Sequence, residues 1–298
     1  AVLAGDDRDR MASIPDTSGF DRNEFVFQRG HDYTYKRCFT LAGGKLVDVG
    51  RADGCTVEEM EAGIGPKTAG IAYFESGRWG SEWVSLDQAR EVADKHGIKL
   101  VVDAAGQIYP LDQFMRVART GDVVAFGAKY IGSPHSTGIC TGRSELVESA
   151  FLQNFIGFEL AGIQGLARPY GRPYKTDRGE VMGVAVALRR WFSMNHEERL
   201  AVEEDKRSAF ARGLAGTAGV TTSIPKEAQL GPNVTVFIHF DAGITGIDGH
   251  EVIKQLEEGD PPIWTRTHDD GGSIGIGVQM LSDEEVETVV ERLRGIFA

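Results

Sequence analysis

Two residues in the first half of the sequence have the types and the spacing to carry chemistry. Asp103 closes the apolar run Leu100-Val101-Val102, and Lys129 follows 26 residues later, just past Val123-Val124-Ala125-Phe126. Short apolar runs of this kind read as buried strands of a parallel sheet. In open α/β sheets ligands bind where strands end at their carboxyl edge, so both side chains are expected at one edge. A carboxylate and a lysine delivered there suit pyridoxal phosphate. The lysine forms a Schiff base with it, and the carboxylate keeps a proton on the pyridine nitrogen so that the ring accepts electrons. On this pair alone, a loop-capping aspartate and a solvated lysine are the simpler reading.

The neighbouring residues shift that balance. Asp103 opens D-A-A-G-Q, where Ala105 lets a flat ring approach the backbone and Gln107 can donate to a ring oxygen. Lys129 lies in F-G-A-K-Y-I-G-S-P-H-S-T-G-I-C-T-G-R, among glycines and small hydroxyl residues. These segments resemble the fold-type-I pyridoxal-phosphate enzymes, in the branch that includes selenocysteine synthase and D-glucosaminate-6-phosphate ammonia-lyase. Members have a D-A-A-x-[EQ] strand end and a lysine followed by G-P-Q-S-S-G or similar; this chain has Gly132-Ser133-Pro134-His135-Ser136-Thr137-Gly138. Gln28-Arg29-Gly30-His31 is similar to the branch's Q-R-S-H, and Gly171-Arg172-Pro173-Tyr174-Lys175 to its G-R-P-M-K. The resemblance runs over essentially the whole chain and is most specific around Lys129.

The resemblance implies definite roles. Lys129 would be the Schiff-base lysine and the base that moves the substrate α-proton, and its amine must lose its proton to act. Asp103 would pair with the pyridine nitrogen, and His31 would stack on the ring, against a competing reading as a helix-cap or surface histidine. Ala105, Gln107 and Ser136 are the further expected cofactor contacts. Arg172 and Lys175 would clamp a substrate phosphate or carboxylate, and Arg266 would hold the α-carboxylate. Solvated charge is the competing reading for all three. His135 replaces the usual glutamine and would either trade protons beside Lys129 or keep the glutamine's hydrogen bonds.

Two departures stand out. Relatives carry a serine shortly before the lysine for the cofactor phosphate, where this chain has Phe126-Gly127-Ala128. The main phosphate cradle of the branch, a glycine loop at a helix N-terminus, precedes the region matching Ala1–Gly5. An N-terminal segment is therefore expected to be missing, with Ala1-Val2-Leu3-Ala4-Gly5 as the tail of the helix after that loop.

The elements that must position these residues are legible from periodicity. Glu24–Gln28, Lys45–Val49, Thr68–Phe74, Lys99–Asp103 and Val123–Phe126 read as strands. Thr56–Gly63 has a capping-box start in Thr56 and Glu59. Leu86–His96 has apolar Leu86, Ala89, Val92 and Ala93 at helical spacing, closed by Gly97. The second half predicts a helical region Glu180–Leu214 interrupted near Asn195-His196, then strand Thr235–Phe240, helix His250–Glu257, strands Pro261–His268 and Ser273–Val278, and helix Asp283–Ile296. The fold class is thus α/β, a mostly parallel sheet between helices, with a smaller C-terminal α+β domain. The cluster Gly165, Pro169, Gly171, Pro173 and Gly179 places the boundary between domains 1–170 and 171–298.

Composition excludes several functions. The 298 residues hold 32 Lys and Arg against 44 Asp and Glu, a net charge of −12. This opposes a nucleic-acid partner, which needs clustered cations to replace phosphate counterions. No stretch approaches the ~20 apolar residues of a membrane span. Cys38, Cys55 and Cys140 form neither a disulfide framework nor a zinc spacing, which fits a reducing cytoplasm. His268-Asp269-Asp270 precedes Gly271-Gly272 and reads as a hairpin turn rather than a metal site, so no metal is expected. The expectation is a pyridoxal-phosphate lyase on an amino acid, a homodimer or higher homo-oligomer, with a sugar amino acid or its phosphate as substrate. Selenium transfer on seryl-tRNA, or a non-catalytic subunit of a split enzyme, are the alternatives.

Overall fold

The computed structural model describes residues 1–77, 79–154, 170–224 and 235–298. It divides into two compact units, Ala1–Phe192 and Ser193–Ala298. Gly165 and Pro169 lie outside the described residues.

The first unit is built on a six-stranded sheet. Its strands are β1 (Glu24–Gln28), β2 (Lys45–Val49), β3 (Thr68–Phe74), β4 (Lys99–Asp103), β5 (Val123–Gly127) and β6 (Gly138–Gly142), in the order β2-β1-β3-β4-β5-β6. The first five are parallel and β6 runs antiparallel beside β5. The order reverses between β1 and β3, which makes the carboxyl ends of these strands the crevice where ligands bind in such sheets. β3 lies at the centre, and Thr68 through Tyr73 are all buried, as expected of a parallel strand covered on both faces.

The helices of this unit are α1 (Arg8–Ser13), α2 (Val57–Ala62), α3 (Leu86–His96), α4 (Leu111–Thr120), α5 (Ser144–Gln153) and α6 (Arg178–Ser193). α2 starts on the Thr56/Glu59 capping box, and α3 on a second one, Ser85/Gln88. Removing such a cap costs about 1 kcal/mol. α3 buries Leu86, Ala89, Val92 and Ala93, and ends where Gly97 adopts φ 63°, a left-handed conformation that glycine takes without a Cβ penalty. Ala1–Gly5 forms a turn in which the Gly5 amide donates to the Ala1 carbonyl at 2.7 Å, the i to i+4 bond of a helical turn, with Gly5 at φ 57°.

The second unit begins with α7 (His196–Gly213), capped by Asn195, and carries β7 (Val220–Ser223), β8 (Thr235–Phe240), α8 (Ala242–Thr245), α9 (Gly249–Glu257), β9 (Arg266–His268), β10 (Ser273–Gly277) and α10 (Asp283–Ile296). The four strands form an antiparallel sheet in the order β7-β8-β10-β9. Its core is Val236 and Ile238 of β8 and Ile274 of β10 packed against Val252, Leu256 and Leu293 of the helices.

The compact units divide at Phe192/Ser193, and α6 is held by the first unit. The Trp191 indole donates to the Ile108 carbonyl at 2.9 Å, and the Phe192 ring stacks on Phe114 at 5.6 Å. The strand expected over Pro261–His268 is confined to Arg266–His268, since the paired prolines Pro261 and Pro262 have no amide hydrogen for a ladder. The turn at Asp269–Gly271 does join β9 to β10 as an antiparallel hairpin.

Candidate active site

The two residues singled out first are delivered to the carboxyl edge of the large sheet. Asp103 ends β4 and is half-buried. Beyond it the β4–β5 pairing continues, with the Ala104 amide on the Ala125 carbonyl and the Gly127 amide on the Ala105 carbonyl, both at 2.9 Å. Lys129 therefore leaves β5 close to this junction, on a 3₁₀ turn (Ala128–Ile131) closed by Gly132 at φ 87°. The sheet face beside them is floored by small side chains. Ala125, the register partner of Asp103, is exposed, as are Gly138 and Cys140 opposite β5.

Both charges are uncompensated. The Asp103 carboxylate accepts from the Tyr33 hydroxyl on Oδ2 at 2.7 Å and from the Ala105 amide on Oδ1 at 3.1 Å, two neutral donors. The Lys129 ammonium lies 5.1 Å from the centroid of the Tyr130 ring. Among the described residues neither makes an ion pair, with the other or with any third group.

His31 follows β1 on a 3₁₀ turn and is only 1% exposed. Its ring stacks on Trp79 at 3.8 Å and 11°, with Tyr73 edge-on at 5.3 Å and Trp83 tilted at 5.3 Å. Gly30 makes room for this box: a Cβ there would sit 1.8 Å from the Trp83 ring. The Gln28 carboxamide is oriented by Val84, accepting from its amide at 2.9 Å and donating to its carbonyl at 3.0 Å. Its nitrogen then donates to His31 Nε2 at 3.2 Å, which puts the imidazole proton on Nδ1, a buried donor with no partner. Burial pushes the His31 pKa down to about 3, so the ring is neutral at physiological pH. The protein's own indole covers one face of His31, and at 1% exposure the ring presents no open face in this structure.

Sequence reasoning missed three residues here. Tyr33 reaches Asp103 across 70 residues of chain, and Trp79 joins His31 to β3 by donating its indole N–H to the Phe74 carbonyl at 2.7 Å. Glu75, just past β3, is 8% exposed, and burial raises its pKa against the pull of the Gly77 amide, which donates to it at 2.8 Å. Only the tight cluster of Tyr33, His31 and Gly30 in one segment signals any of these in the sequence.

The remaining expected residues are placed as follows. Ala105 backs Asp103 through its amide. Gln107 accepts from Gln113 at 3.3 Å through its side-chain oxygen, and its carboxamide lies beside Gly77. Ser136 donates to Glu180 of α6 at 2.7 Å, so its hydroxyl is turned to a carboxylate rather than to an anion site. His135 is exposed and bonds to no described residue, Lys129 included. Arg172 and Lys175 lie in the segment leading into α6, and Arg266 opens β9 in the second unit, exposed and without an ion pair among the described residues.

The donor set suits the ring of pyridoxal phosphate. A carboxylate with no cation beside it among the described residues suits a protonated ring nitrogen, a lysine outside any ion pair among them suits an aldehyde carbon, and the floor of alanine and glycine admits a flat heterocycle. The buried Nδ1–H of His31 is a donor waiting for an acceptor. Among the described residues no group of three or more His, Cys, Asp and Glu could hold a metal ion, and no helix is long and apolar enough to cross a membrane.

No protein-family model matches the chain. It is 27% identical over 306 residues to a 5'-C-glycyluridine monooxygenase-decarboxylase from a Streptomyces species, covering all of this chain and 72% of that protein. It is also 27% identical over 303 residues to D-glucosaminate-6-phosphate ammonia lyase of Salmonella typhimurium, covering 99% of this chain and 76% of the relative. A solved structure of D-glucosaminate-6-phosphate ammonia-lyase superposes with a TM-score of 0.76 at 26% identity, over 100% of this chain and 76% of that one. The chain is homologous to these enzymes, and its architecture is that of the type I pyridoxal-phosphate fold.

Proposed function

We propose that this chain is a pyridoxal-phosphate-dependent lyase acting on a 2-amino-3-hydroxy acid with a sugar-like, phosphorylated tail. The observation that carries the reading is the pair of uncompensated charges, Asp103 and Lys129, at one sheet edge of a chain homologous throughout its length to an ammonia lyase. When bound, pyridoxal phosphate supplies an electron sink for the bond broken at the substrate Cα. Lys129 and Asp103 would hold it, with Ala105 and Gln107 around the ring.

The chain's own residues then do the following. Lys129 Nζ takes the Cα proton, and Asp103 keeps the ring nitrogen protonated. The proton taken from Cα and the β-hydroxyl together make up the water that leaves. Water re-adds as ammonia is released, and a 2-oxo-3-deoxy acid remains, so the reaction needs no oxidant. Arg172 and Lys175 are assigned to an anionic group of the substrate by their motif positions and by the bidentate fit of arginine to such anions. The role of His135 in proton transfer is the least supported, because it touches nothing in the site. A reducing compartment such as the cytoplasm suits the free cysteines.

A second reading follows from the Streptomyces relative, equally identical and named for oxygen use and loss of carbon dioxide. Both relatives are named for an amino-acid carbon joined to a sugar skeleton, so the substrate class is shared and the reaction separates them. Incubation with D-glucosaminate 6-phosphate, with and without oxygen, decides between them. The lyase reading expects equal amounts of ammonia and 2-oxo acid in both; product that requires oxygen, with carbon dioxide released, would overturn it.

A further inference from the structure

Tyr33 belongs to none of the motifs, yet it governs the orientation of Asp103. Its hydroxyl donates to Oδ2 at 2.7 Å while the Ala105 amide donates to Oδ1. The phenol ring itself is fixed, lying flat on Phe74 at 3.9 Å and 4°, and Phe74 is the register partner of Asp103 across β3 and β4. Trp79 extends the same chain of contacts, holding the Phe74 carbonyl while stacked on His31. The two sides of the candidate ring site are thus joined through Phe74.

We propose that Tyr33 is a positioning residue, fixing the plane of the Asp103 carboxylate so that it holds a proton on a heteroaromatic ring nitrogen. The terminal torsion of an aspartate is broad, and one donor on each oxygen removes that freedom. Each oxygen keeps a second lone pair for a further donor. Neither donor is charged, so the carboxylate is not engaged in an ion pair with either of them, as it would be with an arginine in the same place. Burial, and then the bond to Asp103, push the Tyr33 phenol well above its ordinary pKa, so it keeps its proton at neutral pH and acts as a donor only.

The inference rests on the pyridoxal-phosphate reading, and one experiment separates the two. The dissociation constant of pyridoxal phosphate is measured by absorbance titration on the wild-type protein, Tyr33→Phe, Asp103→Asn and the double variant. Tyr33→Phe keeps the ring stack and removes only the hydroxyl. It is expected to weaken binding about tenfold, as loss of a hydrogen bond to a charged group does, and to add less than twofold in the Asp103→Asn background. Unchanged binding in Tyr33→Phe, or an equal loss in both backgrounds, would overturn the inference while leaving the cofactor reading intact. A wild-type protein that takes up no pyridoxal phosphate would overturn both.

Discussion

Asp103 and Asp122 flank neighbouring strands at opposite edges of the same sheet, and their surroundings differ in one respect. Asp122, just before β5, is enclosed by cations: Arg90 donates to Oδ2 at 2.7 Å, Arg143 donates to Oδ1, and the Leu100 amide adds a bond at 2.7 Å. Burial alone would raise its pKa, but the bonds from Arg90, the Leu100 amide and Arg143 hold it below the ordinary value. Asp103 has a phenol and an amide in their place and, among the described residues, no cation. A buried carboxylate whose charge is neutralised within the chain serves the fold, because an unpaired buried charge is costly. One that is oriented by neutral donors alone keeps its charge available, which is what the proposed pairing with a ring nitrogen requires.

Exchanging the two aspartates' losses tests this contrast. Asp103→Asn is expected to lower kcat about 100- to 1000-fold, the scale of removing a preorganised electrostatic contact, while leaving the melting temperature nearly unchanged. Asp122→Ala is expected to do the converse. It strands Arg90 and Arg143 and destabilises the fold by about 3–5 kcal/mol, while the folded fraction retains its kcat. A large stability loss in Asp103→Asn, or a large kcat loss in Asp122→Ala, would break the comparison.

The legible part of this site is the part that local sequence controls. Asp103 and Lys129 are readable because each ends an apolar run, and strand ends define a sheet edge. The Thr56 cap and the Gly97 terminator are readable for the same local reason. Tyr33–Asp103 and Arg90–Asp122 are not, being separated by 70 and 32 residues and brought together only by strand order. β6, with its sequence Gly-Ile-Cys-Thr-Gly, has no apolar run to announce it and owes its strand form to pairing with β5. The boundary expected near residue 170 rests on prolines and glycines, and the hold of the first unit on α6 rests on Trp191.

Acid separates the two edges more gently. His31 is ordinary in the unfolded chain and pushed down to about 3 in the fold, so the unfolded state binds a proton the native state does not. Stability is expected to fall as pH drops from about 6.5 toward 3. Asp122, whose folded value is depressed, contributes stability that is lost only below about pH 4. Glu75 acts in the opposite sense: its raised value favours the folded state in acid, and that contribution fades as pH rises above its ordinary range. Urea unfolding at stepped pH checks this. His31→Gln should flatten the decline between about 6.5 and 4, and Glu75→Gln should steepen it.

The central claim is that Lys129 is the unpaired amine that receives pyridoxal phosphate at the edge where Asp103 waits for a cation. The direct test is to load the purified protein with the cofactor, reduce it with borohydride, digest it and map the modified peptide by mass. The account predicts a single pyridoxyl group on Lys129, absent from Lys129→Ala. Modification of a different lysine, or an unchanged yield in Lys129→Ala, would contradict it.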